Sequence, residues 1–246
     1  MSKTDEQAFF DQDAGEAPRD SIRKYYAIAR KSHQDFDQLI REASAGRDVL
    51  EYGCGYGNFC FALADAGGRV TGIDISPKSI EVARKTASTR GYLNMRFAVM
   101  DAENMDFQDG TFDVVVGSAI LHHLDLERCS AEIMRVLKPG GRALFLEPLG
   151  HNPALNLFRK LTPSYRTDDE HPLTRGDLKI LSARMGNAKY RYYHVCTFLA
   201  LPFLKAPFFW RLVDALDACD RILFKILPPL ASWSWFATME FEKPST

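Results

Sequence analysis

The sequence predicts an α/β fold, an open, doubly wound, mostly parallel sheet with helices on both faces. Three observations predict it. Segments of strand length alternate with segments of helical periodicity over residues 48–147. Two of the apolar segments, Val114-Val115-Val116 and Ala143-Leu144-Phe145-Leu146, run without a polar break, as central parallel strands buried on both faces require. The first strand, ending Val49-Leu50-Glu51-Tyr52, turns on Gly53, Gly55 and Gly57 and enters a helix with Phe59, Leu63 and Ala66 at helical spacing.

Taken in order, residues 1 to about 18 are polar, contain Gly15 and Pro18, and read as an arm. Asp20 or Ser21 then caps a helix over about 22–43, with Tyr25, Ile28, Ala29, Phe36, Leu39 and Ile40 mostly on one stripe. Arm and helix make up residues 1–45, ahead of a single domain over 46–246. Its strands are expected near 48–52, 69–74, 95–99, 112–118 and 142–147, and its helices near 58–66, 77–90 and 127–137. Ser76 and Pro77 suit the N-cap and first position of the second of these helices, and Gly91 follows its last turn. A short helix over 174–185, capped by Thr174, and strands near 189–197 and 234–242 bring the sheet to seven. Two stretches interrupt the pattern. Residues 149–172, with Pro153, Pro163, Pro172 and the polar run Arg166 to His171, read as a long connection leaving the ligand edge. Residues 198–232 read as a second insertion. Its apolar stripe is Leu212, Leu216, Cys219, Leu223, Ile226 and Leu227, with Asp214, Asp217, Arg221 and Lys225 on much of the other side.

The glycine loop selects among ligands. A dinucleotide fingerprint is G-x-G-x-x-G. Here the third glycine comes one residue early, and Glu51 stands two residues before the first. An acid there suits a ligand with a free ammonium group better than a pyrophosphate. Asp74, ending the second strand, is placed to accept hydrogen bonds from two ribose hydroxyls. A ribose, a cationic amino-acid end and no phosphate together describe S-adenosylmethionine.

These residues resemble a class I S-adenosylmethionine-dependent methyltransferase. Gly72-Ile73-Asp74-Ile75-Ser76 is similar to the family's second motif and Asp101-Ala102-Glu103 to its third, where an acid meets the adenine amino group. Phe112 to Ser118 resembles its fourth strand, and Val136-Leu137-Lys138-Pro139-Gly140-Gly141 the turn before its fifth. The resemblance covers roughly residues 47–148. It implies a Rossmann-like sheet whose last strand is antiparallel. It also implies a cofactor site formed by Glu51, Tyr52, Gly53, Cys54, Gly55, Gly57, Asn58, Asp74, Ile75, Asp101, Ala102, Glu103 and Ser118. Tyr25 or Tyr26 would close over the methionine end, where an aromatic face gains about 1 kcal/mol beside a sulfonium.

Composition narrows the setting. In 246 residues, 46% are hydrophobic and 26% charged, as in soluble globular proteins. A formal net charge of −1 offers nucleic acid no basic face. Five scattered cysteines without C-x-x-C spacing suit a reducing cytoplasm rather than zinc or disulfides, and no acidic cluster suggests a metal. The N-terminus lacks the apolar core of a secretory signal, and the most apolar run, Val195 to Leu204, is too short to span a bilayer.

The acceptor is the least constrained element. Methyl transfer from an activated donor chiefly needs alignment and exclusion of water, with a base where the acceptor carries a proton. His122 and His123 follow the fourth strand and are the expected bases. Glu147, His151, Glu170 and His171 are further acceptor-side candidates, and Phe208 and Trp210 belong to an apolar roof over a small, apolar or aromatic metabolite. The second insertion also suits a homodimer contact or a peripheral membrane contact through 198–230, although the mixed charge of its polar side disfavours anionic lipid. A nicotinamide-dependent oxidoreductase and a non-catalytic S-adenosylmethionine-binding protein are the competing readings.

Overall fold

The computed structural model describes residues 24–161, 171–186 and 188–245, with backbone alone at Lys24, Tyr25, Asn58 and Phe158. The arm, the proposed caps Asp20 and Ser21, and Glu170 lie outside these residues.

Seven strands form one sheet in the order β3-β2-β1-β4-β5-β7-β6. They are β1 (Asp48–Tyr52), β2 (Arg69–Asp74), β3 (Met95–Val99), β4 (Phe112–Ser118), β5 (Leu137–Pro148), β6 (Ala188–Tyr193) and β7 (Phe236–Glu242). The first five pair in parallel, and β7 is antiparallel to both β5 and β6. Among the described residues seven α-helices accompany them: α1 (Arg30–Ser44), α2 (Asn58–Asp65), α3 (Pro77–Thr89), α4 (Leu126–Val136), α5 (Pro153–Leu161), α6 (Arg175–Met185) and α7 (Phe209–Ile226).

The pleat divides the core into two layers. Val114, Val116, Leu144 and Leu146 point to one face, where Phe36 and Ile40 of α1 and Ile80 of α3 pack. Val115, Ala143 and Phe145 point to the other, against Ile133 of α4 and Leu181 of α6. This alternation explains the unbroken apolar runs, since both faces of these strands are dry.

The structure shifts several expected boundaries. The first helix is a 3-10 turn over Lys24–Ala29 continuing as α1 from Arg30. The 149–172 connection contains a helix, α5, whose N-terminus is held by the Asn152 side chain accepting from the Ala154 and Leu155 N–H groups. Asn before Pro is a start signal, but nine residues flanked by prolines resemble a loop in sequence. The sixth strand stops at Tyr193 because His194 turns the chain at φ 69°. A non-glycine residue in that region costs about 1–2 kcal/mol. His194 is fully buried, with Nε2 2.9 Å from Ser32 Oγ of α1, and packing holds it there.

Glycine is needed in the strands for a steric reason. A Cβ on Gly117 of β4 would lie 2.6 Å from Cε1 of the buried Phe145 ring. Gly117→Ala should therefore destabilise the protein by about 1–3 kcal/mol, read as a lower urea midpoint with an unchanged slope.

Candidate active site

Strand order reverses between β1 and β4, so the loops leaving their carboxyl ends diverge and open a crevice. The loop after β1 forms one wall. Gly53, Gly55 and Gly57 all have positive φ, at 70°, 49° and 81°. They differ in what surrounds them. A Cβ on Gly53 would meet Ile120 at 2.7 Å, and one on Gly57 would meet Phe97 at 3.0 Å, whereas one on Gly55 would meet nothing within 4 Å. Gly53 and Gly57 thus permit packing, and Gly55 borders open space.

The Asp74 carboxylate holds this loop from β2. Its Oδ2 accepts from the Gly55 N–H at 2.8 Å and its Oδ1 from the Ser76 N–H at 2.9 Å. These two bonds fix the carboxylate at the edge of the crevice. Cys54 secures the other side of the turn, its N–H donating to Ile73 O and its carbonyl accepting from the Gly57 N–H.

Glu51 lies beneath the loop, 3% exposed. Its carboxyl group is hydrogen-bonded by the thiol and backbone N–H of Cys60, in the first turn of α2. The other oxygen, Oε2, is buried with no hydrogen-bond partner. Burial, and less strongly the nearby Asp74 charge, pushes its pKa up to about 8. An unsatisfied acid below a glycine turn is suited to a cation arriving from the crevice.

The remaining sequence candidates separate by side-chain direction. Tyr52 is fully buried in the core against Phe145, and its hydroxyl donates to Ala102 O. Asp101 accepts from the Glu103 N–H at 2.9 Å, which shapes the turn after β3. Glu103 accepts from the Asp125 N–H at 2.9 Å, joining that turn to the start of α4. Ile75 and Ser118 are part-buried at the ends of β2 and β4. Only the Tyr25 and Asn58 backbones are described.

On the opposite wall, Ala119 has φ 54° and starts a turn built around Glu147, which is fully buried. Glu147 Oε1 accepts from the N–H groups of Ile120 and Leu121 at 2.8 and 2.9 Å, and Oε2 lies 2.7 Å from His122 Nδ1. A carboxylate there requires the proton on Nδ1. Glu147 and His122 accordingly brace the loop. His123 is part-buried, its ring centre 4.2 Å from that of His122 and tilted by 38° to it. His151 caps α6, its Nε2 accepting from the Arg175 N–H at 2.6 Å. His171 is exposed, and its N–H donates to His122 O.

The expected roof has a different inner surface. Phe208 and Trp210 are 50% and 46% exposed, and Phe209, at 3%, is the ring that packs inward, with Val213. Sequence reasoning missed an aromatic group at the same sheet edge. Trp235 lies 5.0 Å from Tyr26 and 5.5 Å from Phe198, ring centre to ring centre, and its carbonyl accepts from the Leu149 N–H just beyond β5. Its position one residue ahead of β7 was the available signal. Among the described residues no group of three or more His, Cys, Asp or Glu could hold a metal ion.

A family model described as a methyltransferase domain matches residues 50–145, which include both walls of this crevice. Residues 50–145 are therefore similar to a methyltransferase domain, on a sheet of the same kind. This sets aside the nicotinamide reading. Aklanonic acid methyltransferase DauC of Streptomyces sp. is 40% identical over 114 residues, covering 45% of this chain. The match spans 52% of DauC, about half its length. The 2-heptyl-1-hydroxyquinolin-4(1H)-one methyltransferase of Mycobacteroides abscessus is 28% identical over 169 residues, 67% of this chain and 70% of that one. A geranyl diphosphate methyltransferase solved with GPP and sinefungin superposes with a TM-score of 0.61, covering 86% of this chain and 77% of that one. At 15% identity it establishes likeness of fold.

Glu51 links the site to stability. Its pKa in the folded protein, about 8, lies above the ordinary 4.5. The stabilising contribution is therefore complete below about pH 4.5 and is lost as pH rises through about 8. Between about pH 5 and pH 9 the unliganded wild type should lose on the order of a few kcal/mol relative to Glu51→Gln. Paired thermal melts across that range measure it, and parallel curves would show that Glu51 is ionised throughout.

Proposed function

We propose that this chain transfers a methyl group from S-adenosylmethionine to a small, apolar or aromatic metabolite. The observation that carries the reading is the unpartnered Glu51 oxygen beneath an open glycine turn, with the anchored Asp74 carboxylate beside it. Glu51 would meet the ammonium end of the cofactor, Asp74 the ribose hydroxyls, and Asp101 with Ala102 and Ile75 the adenine. Bound, the cofactor supplies a methyl group already activated on a sulfonium.

The protein then aligns, excludes water and accepts a proton. The Glu147–His122 brace fixes the loop that carries His123, and His123 takes the proton where the acceptor is a hydroxyl or an amine. Tyr26, Phe198 and Trp235 form the apolar wall for the acceptor. The name of the Mycobacteroides enzyme refers to a quinolinone acceptor, which supports an aromatic class.

Calorimetry should give micromolar affinity for S-adenosylmethionine and its demethylated product, about −8 kcal/mol. Asp74→Ala should weaken binding at least about tenfold. Gly55→Val should abolish binding in a folded protein, since its side chain enters the open space. Binding of neither compound by the wild type would refute the cofactor assignment. For the reaction, radiolabelled transfer should be assayed with aklanonic acid, 2-heptyl-1-hydroxyquinolin-4(1H)-one and a cell extract. His123→Ala should lower kcat by about a hundredfold or more at unchanged cofactor affinity. Tight cofactor binding with no methylated product from any of the three would identify a non-catalytic binder.

A further inference from the structure

The segment between β6 and β7 shows a charge distribution that its sequence conceals. Eight of the fourteen exposed large hydrophobic residues of the described chain fall within residues 198–233. Leu199, Phe203, Phe208 and Trp210 precede or open α7, and Ile222, Ile226, Leu227 and Trp233 end or follow it. The inner face of α7 is buried through Phe209 and Val213, while Ala215, Ile222 and Ile226 lie on its outer face, with Ile226 70% exposed. The helix thus carries a second, narrow apolar stripe, which no other element among the described residues covers.

Two of the three acids of α7 are turned inward, and the third, Asp214, is exposed but paired. Asp217 and Asp220 are 5% and 2% exposed. Asp220 accepts from the N–H groups of Val195 and Cys196 at 3.0 and 2.8 Å, and Asp217 Oδ1 lies 3.3 Å from His194 Nδ1. Asp214 is paired with Arg30. The four basic residues of the segment, Lys205, Arg211, Arg221 and Lys225, are all exposed. The surface therefore presents large apolar side chains among positive charges, its negative charges being internal or paired.

From this arrangement we infer that residues 198–233 dock on an anionic lipid bilayer, with α7 lying in the plane of the interface. Apolar side chains that enter the acyl boundary, flanked by Lys and Arg at the headgroups, are the features of an interfacial helix. No helix among the described residues is long and apolar enough to cross a membrane, so the contact is with one leaflet. A second copy of the chain is a poorer occupant, because a two-fold contact would set the basic patch against itself. Both ends of the segment are at the carboxyl edge of the sheet, beside Trp235. A lipid-dissolved acceptor could thus pass from leaflet to crevice without crossing bulk water.

Flotation of the full chain with phosphatidylcholine vesicles, with and without phosphatidylserine, tests this independently of any methyl transfer. The protein should float with the phosphatidylserine vesicles and be released as salt is raised. Ile222→Asp with Ile226→Asp should abolish flotation at an unchanged melting temperature. Arg221→Glu with Lys225→Glu, which leaves the apolar side chains intact, should weaken it at least about tenfold and keeps the test decisive if the first variant does not fold. Failure to float with either vesicle, or flotation unchanged in both variants, overturns the inference. So does a wild-type dimer in light scattering that the isoleucine variant converts to monomers, since the surface would then serve a second copy.

Discussion

The reversal of strand order between β1 and β4 is the constraint on which the site depends. β2 and β3 wind outward on one side of β1, so β4 must take the other, and the two loops at the carboxyl edge separate. Each loop is then fixed by a carboxylate from a neighbouring strand. Asp74 at the end of β2 holds the glycine turn, and Glu147 near the end of β5 holds the turn after β4. Neither turn has a regular backbone ladder of its own, so these acids supply acceptors to N–H groups that would otherwise be unpaired. The crevice is an opening between two braced loops, and its width is set by strands that were already adjacent.

Glu51 shows the opposite condition. Its neighbours on β1, Leu50 and Tyr52, pack in the core, while its carboxyl group sits in a dry place half satisfied. A glutamine or an apolar residue would suit the empty fold better. Local rules are broken at this one position while the rest of the strand obeys them, which sets Glu51 apart from its neighbours.

Much of this was legible in the sequence. Strand positions, the glycine turn, the acid ending β2 and the antiparallel last strand followed from periodicity, spacing and family resemblance. Side-chain direction was harder to read. Glu147 reads as an acid at the rim, but its donors come from residues 120 to 122, a pairing that exists only after β4 and β5 are side by side. Tyr52 adjoins the first glycine yet faces the core, because successive residues in a strand point to opposite faces. Asp217 was assigned to the polar side of α7 by helical periodicity, and the structure buries it through His194, which lies before the helix in a turn that periodicity does not describe.

The segment between β6 and β7 also has closely spaced ends. Tyr193 and Phe236 are register partners, and the Trp235 N–H donates to Tyr193 O at 3.0 Å. Everything over residues 194–235 leaves and returns through one antiparallel pair, whose facing Cα atoms are about 5 Å apart. Closing a long excursion costs only slightly more entropy than closing a short one. The excursion is thus held twice, at its two closely spaced ends and again where Phe209 and Val213 enter the core, so its solvent-facing side chains are the part that can change without touching the half of the sheet that bears Glu51 and Asp74.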